Sequence, residues 1–98
     1  MSPQEIQSVV LDVLKDIQVL SGRPWIDLDP NGAPIGQLDG FDSLTAVEAT
    51  VMIEERLGGH DWEVDSIFVS EDGEHALTVE EIAQRVSKLL SAAGEEEV

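Results

Sequence analysis

A helix-start motif that occurs near both ends of the chain constrains the fold more than any other feature. In Ser2-Pro3-Gln4-Glu5 and in Thr78-Val79-Glu80-Glu81, a hydroxyl residue stands three positions before a glutamate, which is the capping box of helix N-termini. The first motif opens a predicted helix over residues 3–20, stopped by Ser21-Gly22, and the second opens a helix that ends near Ala93-Gly94. Apolar residues recur at helical spacing after each motif: Ile6, Val9, Val10, Val13, Leu14, Ile17 and Leu20 in the first helix, and Val79, Ile82, Ala83, Val86, Leu89 and Leu90 in the last.

A further helix is predicted in the middle of the chain, from Ser43 to about Leu57, where Gly58-Gly59 stops it. The long connection before it, residues 21–42, is broken by several prolines and glycines. Loops of this length are uncommon in compact domains unless they pack against the protein or have a function. We therefore expect its apolar residues to pack on the helices: Trp25, Ile26, Leu28 and Ile35.

The segment 60–77 has no regular pattern, but its stretch WEVDSIFV is apolar enough to form a short helical turn around Asp65–Phe68. The predicted fold is therefore all-α: a small four-helix bundle of three main helices plus one short third helix, with a long loop between helices one and two. A chain of 98 residues buries one modest core. Residues 1–94 are predicted to form this one helical domain, and residues 95–98 a disordered acidic tail.

Composition and charge exclude several classes of function. The absence of cysteine rules out disulfides, thiolate metal sites and cysteine nucleophiles. Five Lys and Arg against 21 Asp and Glu give a net charge of -16, which repels nucleic acids and anionic membranes. We expect instead a cytoplasmic monomer that attracts proteins with basic patches. No basic leader region and no run of membrane-spanning length is visible in the sequence.

The middle helix is apolar on two sides, whereas a small protein needs one apolar side to build its core. At about 100° per residue, one side is predicted to face the core and carries Ala46, Ala49, Thr50, Ile53 and Leu57. A second apolar stripe lies elsewhere on the helix, with carboxylates beside it: Leu44, Val47 and Val51, with Glu48, Glu54 and Glu55. Such a surface is typical of a docking site. The alternative is that the second stripe packs under the long loop or the short helix.

Two residues compete for the cap of the middle helix. Serine at a helix start often serves only as a cap, and Asp42 supplies an equally suitable carboxylate. If Asp42 caps the helix, Ser43 lies in the first turn with its hydroxyl facing solvent.

The run Gly40-Phe41-Asp42-Ser43-Leu44-Thr45-Ala46-Val47-Glu48 resembles the Asp-Ser-Leu motif and flanks of acyl carrier proteins, most closely those of polyketide carriers. The similarity continues through Glu54-Glu55 to Leu57, and the predicted helices stand in the order of that family. The chain departs from polyketide carriers at Ala49-Thr50-Val51-Met52, where those proteins generally have an arginine-containing helix. Ala49 and Thr50 are also smaller or more polar than usual, so we expect Trp25, Trp62 or Phe68 to fill the space beside them.

The resemblance implies that Ser43 carries a 4'-phosphopantetheine arm, added from coenzyme A by a phosphopantetheinyl transferase. The thiol of the arm then holds an acyl group as a thioester, so the chain is a carrier and not an enzyme. Asp42 and Leu44 flank the attachment site, and Asp42 is expected to help position the metal or basic groups of the transferase. Fatty-acid and polyketide-type synthesis both remain open as the pathway.

The resemblance also implies a recognition surface for the enzymes that load and process the acyl group, which have basic docking patches. It consists of Leu44, Val47, Glu48, Val51, Glu54 and Glu55, the same residues that form the second stripe and its carboxylates. We expect a free-standing carrier with a specialised substrate.

Other chemistry is poorly supported. DLDPNG, residues 27–32, has the spacing of a calcium loop, but Leu38 stands where a bidentate glutamate is needed, and a turn held by aspartate side chains is preferred. His60 and His75 lack a paired metal-ligand pattern. A hydrolase would need a base beside Ser43, and no Gly-x-Ser-x-Gly elbow is present.

The second function consistent with the sequence is a non-carrier adaptor. Such a protein would be a small acidic helical domain that binds a basic protein partner and uses Ser43 only as a helix cap. Modification of Ser43 separates this function from that of a carrier.

Overall fold

The structure is a computed structural model and describes residues 2–59 and 61–92. Within these ranges the elements are all helical and occur in the order α1 (Pro3–Leu20), α2 (Pro34–Gln37), α3 (Ser43–Arg56) and α4 (Val79–Ala92). The helix α1 contacts both α3 and α4 and is the centre of the fold. The prediction of a small all-α bundle is therefore confirmed. Ala93-Gly94 and the predicted tail 95–98 lie outside the described residues.

The helix α1 begins and ends as predicted. Ser2 Oγ accepts a hydrogen bond from the backbone N–H of Glu5 (3.2 Å), and Glu5 Oε1 accepts one from the N–H of Ser2 (2.8 Å). Five of the regularly spaced apolar residues are buried: Ile6, Val10, Val13, Leu14 and Ile17. Val9 is partly buried, and Leu20 is 82% exposed. Leu20 belongs to the last turn of α1 and borders an open surface groove together with Met52.

The helix α4 also begins with the predicted capping box. The N–H of Thr78 donates to Glu81 Oε1 (2.9 Å), and the N–H of Glu81 donates to Thr78 Oγ1 (3.2 Å). Two further N–H groups at this end bond to the long loop: that of Val79 to the carbonyl of Gly32 and that of Glu80 to the carbonyl of Pro30, both at 2.9 Å. The loop therefore closes over the start of α4.

The long loop between α1 and α3 packs on the helices, as expected. Leu28 is buried, and Trp25 and Ile35 are partly buried against the core. Ile26 is exposed, so its predicted role in pinning the loop is wrong. Its neighbour Trp25 packs against the core instead, and Trp25 Nε1 donates to Asp27 Oδ1 (3.2 Å).

The short helix predicted around Asp65–Phe68 does not form. Residues 65–68 contain bends and no helical turn, and the four-residue element α2 in the long loop has non-helical dihedral angles at Ile35 and Gly36. The backbone N–H groups of the 61–68 segment bond to side chains instead of to carbonyls four residues earlier: Trp62 to Glu54 Oε2, Ile67 to Thr50 Oγ1 and Phe68 to Ser66 Oγ. Helix formation there would require breaking these bonds.

Thr50 explains why a polar residue occupies a core position of α3. Its hydroxyl donates to the carbonyl of Ala46 (2.8 Å) and accepts from the N–H of Ile67 (3.1 Å), and the residue is fully buried. Ile67 and Phe68 are both fully buried, and the bond from the N–H of Ile67 places this part of the segment against α3. Thr50 therefore attaches the 61–68 segment to α3.

Thr50→Val should destabilise the protein, because it preserves shape but leaves the buried N–H of Ile67 without a partner. We expect a loss of about 1–3 kcal/mol in the free energy of unfolding, measured by urea denaturation. Thr50→Ser retains the hydroxyl and serves as the control. Amide hydrogen exchange of Ile67 should accelerate in Thr50→Val and stay slow in Thr50→Ser; equal protection in both variants would contradict this role.

Candidate functional site

The start of α3 is fixed by Asp42 and not by Ser43. Asp42 Oδ1 accepts hydrogen bonds from the backbone N–H of Thr45 (2.9 Å) and from Thr45 Oγ1 (3.0 Å). These bonds, the backbone one first, lower the pKa of Asp42, and the positive charge of Arg23 contributes to the same shift. Asp42 is therefore the N-cap and carries a stabilised negative charge at neutral pH.

Ser43 occupies the first helical position, next to this cap. Its side chain is exposed, and its hydroxyl has no hydrogen-bond partner within residues 2–59 and 61–92. The serine hydroxyl is thus not needed to satisfy the helix terminus. It is an accessible alcohol at the positive end of the α3 dipole.

The residues that lead into the cap are held from three directions. Gln18, buried in α1, donates from Nε2 to the carbonyl of Asp39 (2.9 Å), and Arg23 donates from Nη1 to the carbonyl of Gly40 (2.8 Å). Phe41 is buried and packs edge-on against Phe68, with 5.3 Å between ring centroids. The backbone that presents Asp42 and Ser43 is therefore anchored to α1 and to the 61–68 segment.

Gly40 permits this arrangement because of its conformation and its lack of a side chain. Its φ of +69° lies in the left-handed region that favours glycine. A Cβ built there would come within 2.6 Å of Arg23 Nε, so the guanidinium lies directly against the Gly40 backbone.

The two apolar sides of α3 separate as predicted. Ala46, Ala49, Ile53 and Leu57 are buried. The second stripe is open to solvent, with exposed fractions of 73% for Leu44, 38% for Val47 and 49% for Val51, and Glu48 and Glu55 are exposed beside it. The 61–68 segment and the long loop leave this stripe uncovered, so the alternative in which they bury it is excluded.

Glu54 does not belong to this exposed surface. It is 8% exposed, and its Oε2 accepts a hydrogen bond of 2.7 Å from the N–H of Trp62. Its predicted place in partner recognition is therefore corrected: Glu54 lies four residues after Thr50 on the same side of α3 and holds the start of the 61–68 segment. The exposed carboxylates of the stripe are Glu48 and Glu55.

The DLDPNG stretch has the geometry of a turn. Asp29 Oδ1 accepts from the N–H of Asn31 (2.9 Å), the N–H of Gly32 donates to the carbonyl of Asp29 (2.8 Å), and Trp25 Nε1 donates to Asp27 Oδ1 (3.2 Å). Its aspartates thus hold the backbone and Trp25. Among the described residues, no three His, Asp or Glu side chains are grouped as metal ligands. His60 lies outside the described residues.

Sequence reasoning missed Gln18 and Arg23 as residues of the site and named Phe41 only as a flank of the motif. Gln18 carried a usable signal, because it is a polar residue between Ile17 and Val19 and four residues after Leu14. The contacts of Arg23 and Phe41 depend on how the irregular segments fold back, and residue spacing does not encode that.

No protein-family model, curated protein or solved structure matches this chain. The likeness to acyl carriers therefore rests on the residues around Ser43. None of the helices in the described part of the chain is long and apolar enough to span a bilayer.

The cap contribution of Asp42 should depend on pH. A folded-state pKa below the unfolded one stabilises the protein above the unfolded pKa, and this stabilisation is lost as the pH falls through the folded pKa. Asp42→Ala should therefore lower the melting temperature at neutral pH because it removes the capping acceptor, and the difference from wild type should shrink in strong acid. Ser43→Ala is the matched control and should stay close to wild type, because alanine suits the first helical turn. A larger loss in Ser43→Ala than in Asp42→Ala would contradict the assigned cap.

Proposed function

We propose that this protein is an acyl carrier whose Ser43 receives a 4'-phosphopantetheine arm. One observation at the start of α3 supports this most directly. Asp42 caps the helix, and the Ser43 hydroxyl is exposed and has no hydrogen-bond partner among the described residues. A serine required as a cap would be a poor acceptor, because its oxygen would already be engaged. Here the alcohol can be modified without loss of a structural bond.

The electrostatics of the attachment point suit a phosphodiester. The first N–H groups of α3 and the helix dipole favour a negative group at the N-terminus. The carboxylate of Asp42 opposes a second negative charge, so it is assigned to the recognition of the transferase and its metal or basic groups. The arm would end in a thiol, which supplies the thioester chemistry when the group is bound.

The exposed side of α3 suits brief contacts with a series of enzymes. Leu44, Val47 and Val51 offer apolar contact, and Glu48 and Glu55 offer charge to basic docking patches. The net charge of -16 steers such partners over a long range, which raises association rates more than affinity. A carrier that must leave each enzyme requires this combination. The proposed partners are the transferase and the acyl-loading and acyl-processing enzymes of a cytoplasmic fatty-acid or polyketide-type pathway.

The adaptor remains the second candidate, because the same exposed stripe would also serve one fixed basic partner. The adaptor hypothesis gave Ser43 the role of helix cap, whereas in the structure Asp42 has that role. The two functions now differ in whether Ser43 is modified.

Incubation with coenzyme A and a promiscuous phosphopantetheinyl transferase should add the mass of one arm to the intact protein. Ser43→Ala should add none, because the accepting oxygen is gone. Ser8→Ala is the matched control, since Ser8 is an exposed serine in the middle of α1. Intact-mass spectrometry reads all three, and an unmodified wild type would exclude the carrier and favour the adaptor.

Charge reversal on the exposed side of α3 should slow the modification. We expect Glu55→Lys to lower the kcat/KM of the transferase about tenfold at low salt, and the defect to diminish at about 0.5–1 M salt, where the Debye length is only a few ångströms. Asp12→Lys makes the same change of charge on the exposed part of α1 and should have a smaller effect. Equal rates in both variants would show that only net charge matters and that this surface is not the docking site.

A further inference from the structure

Gln18 is a fully buried polar side chain that has one satisfied and one unsatisfied hydrogen-bonding atom. It lies on α1 with no exposed surface, and its Nε2 donates to two carbonyls, those of Pro24 (3.3 Å) and Asp39 (2.9 Å). Its Oε1 is buried without a partner in the described structure. An unsatisfied buried acceptor costs stability. An apolar residue of similar volume would avoid this cost, so the role of Gln18 lies in what Nε2 holds.

The two carbonyls mark the ends of the long loop. Pro24 is near its beginning, and Asp39 stands four residues before Ser43. Arg23 continues the same arrangement, because its own N–H donates to the carbonyl of Gln18 (2.8 Å) while its Nη1 donates to the carbonyl of Gly40 (2.8 Å). Two linked residues at one end of α1 therefore hold successive carbonyls just before the cap of α3.

We infer that Gln18 and Arg23 are positioning residues for the modification of Ser43, an inference that rests on the proposed carrier function. They act through residues 39–41 and touch neither the hydroxyl of Ser43 nor the incoming group. By holding this segment they keep the Asp42–Ser43 corner in the one arrangement that a transferase can bind. Without them the corner samples other arrangements, and the apparent affinity falls with the fraction that remains competent.

This mechanism predicts a specific kinetic signature. A lower competent fraction raises the KM for the carrier and leaves kcat unchanged, because at saturating carrier concentration the transferase is still filled with the competent form. We expect Gln18→Met, which has a similar volume and no donor, to raise KM about tenfold. Its melting temperature should fall only slightly, because removal of the orphaned oxygen partly offsets the loss of the two bonds.

The experiment measures kcat and KM for arm transfer from coenzyme A to wild type, Gln18→Met, Arg23→Ala and Arg23→Lys. Arg23→Ala should also raise KM, and Arg23→Lys should restore part of the loss because it retains one donor. Val86→Ala, which leaves a cavity at a buried position of α4, controls for simple destabilisation. Its melting temperature should fall while its KM stays at the wild-type value. If Gln18→Met fails to fold, the pair of Arg23 variants carries the test.

Amide hydrogen exchange gives a readout independent of the transferase. The N–H of Phe41 donates to the carbonyl of Leu38 (3.2 Å), so its exchange reports the order of the segment before the cap. It should accelerate in Gln18→Met and stay slow in Val86→Ala. Unchanged exchange, an unchanged KM in Gln18→Met, or an equal rise of KM in Val86→Ala would each overturn the positioning role. An unmodified wild type with accelerated exchange in Gln18→Met would instead defeat the carrier function alone.

Discussion

The fold depends on hydrogen bonds from side chains to the backbone of the two irregular connections. Gln18 of α1 and Arg23 near the start of the long loop hold that loop, Thr50 and Glu54 hold the segment after α3, and Arg85 of α4 donates to carbonyls of that same segment. Backbone polar groups in a loop that packs on a core need partners, and regular structure does not supply them there. Buried and half-buried polar side chains perform this task. They convert long loops into fixed parts of the protein.

The regular elements were largely predictable, because their signals are local. Both capping boxes form the reciprocal bonds that their residue types dictate, and the α1 bounds agree with the predicted range. The two sides of α3 also separated correctly, since helical periodicity alone fixes which residues share a face. The exposure of Ser43 followed from the choice of Asp42 as cap, which the sequence left open.

The errors fall where the local pattern has to compete with distant partners. Glu54 lies between the two sides of α3 on a helical wheel, and only the position of Trp62 decides that it turns inward. Residues 65–68 have enough apolar content for a helical turn, yet the N–H of Ile67 donates to the hydroxyl of Thr50 instead of to a helical carbonyl. In both cases the deciding contact lies outside the helical repeat: Glu54 and Trp62 are 8 residues apart, and Thr50 and Ile67 are 17 apart.

The long loop also joins regions that the order of the helices would keep apart. Its carbonyls at Pro30 and Gly32 accept from the first N–H groups of α4, while its far end carries the Asp42–Ser43 corner. If the loop detached, the first N–H groups of α4 would lose their acceptors and the Asp42–Ser43 corner would lose its support. The two bonds therefore attach the start of α4 to the same loop that forms the start of α3, so opening of this loop exposes backbone groups at both helix starts.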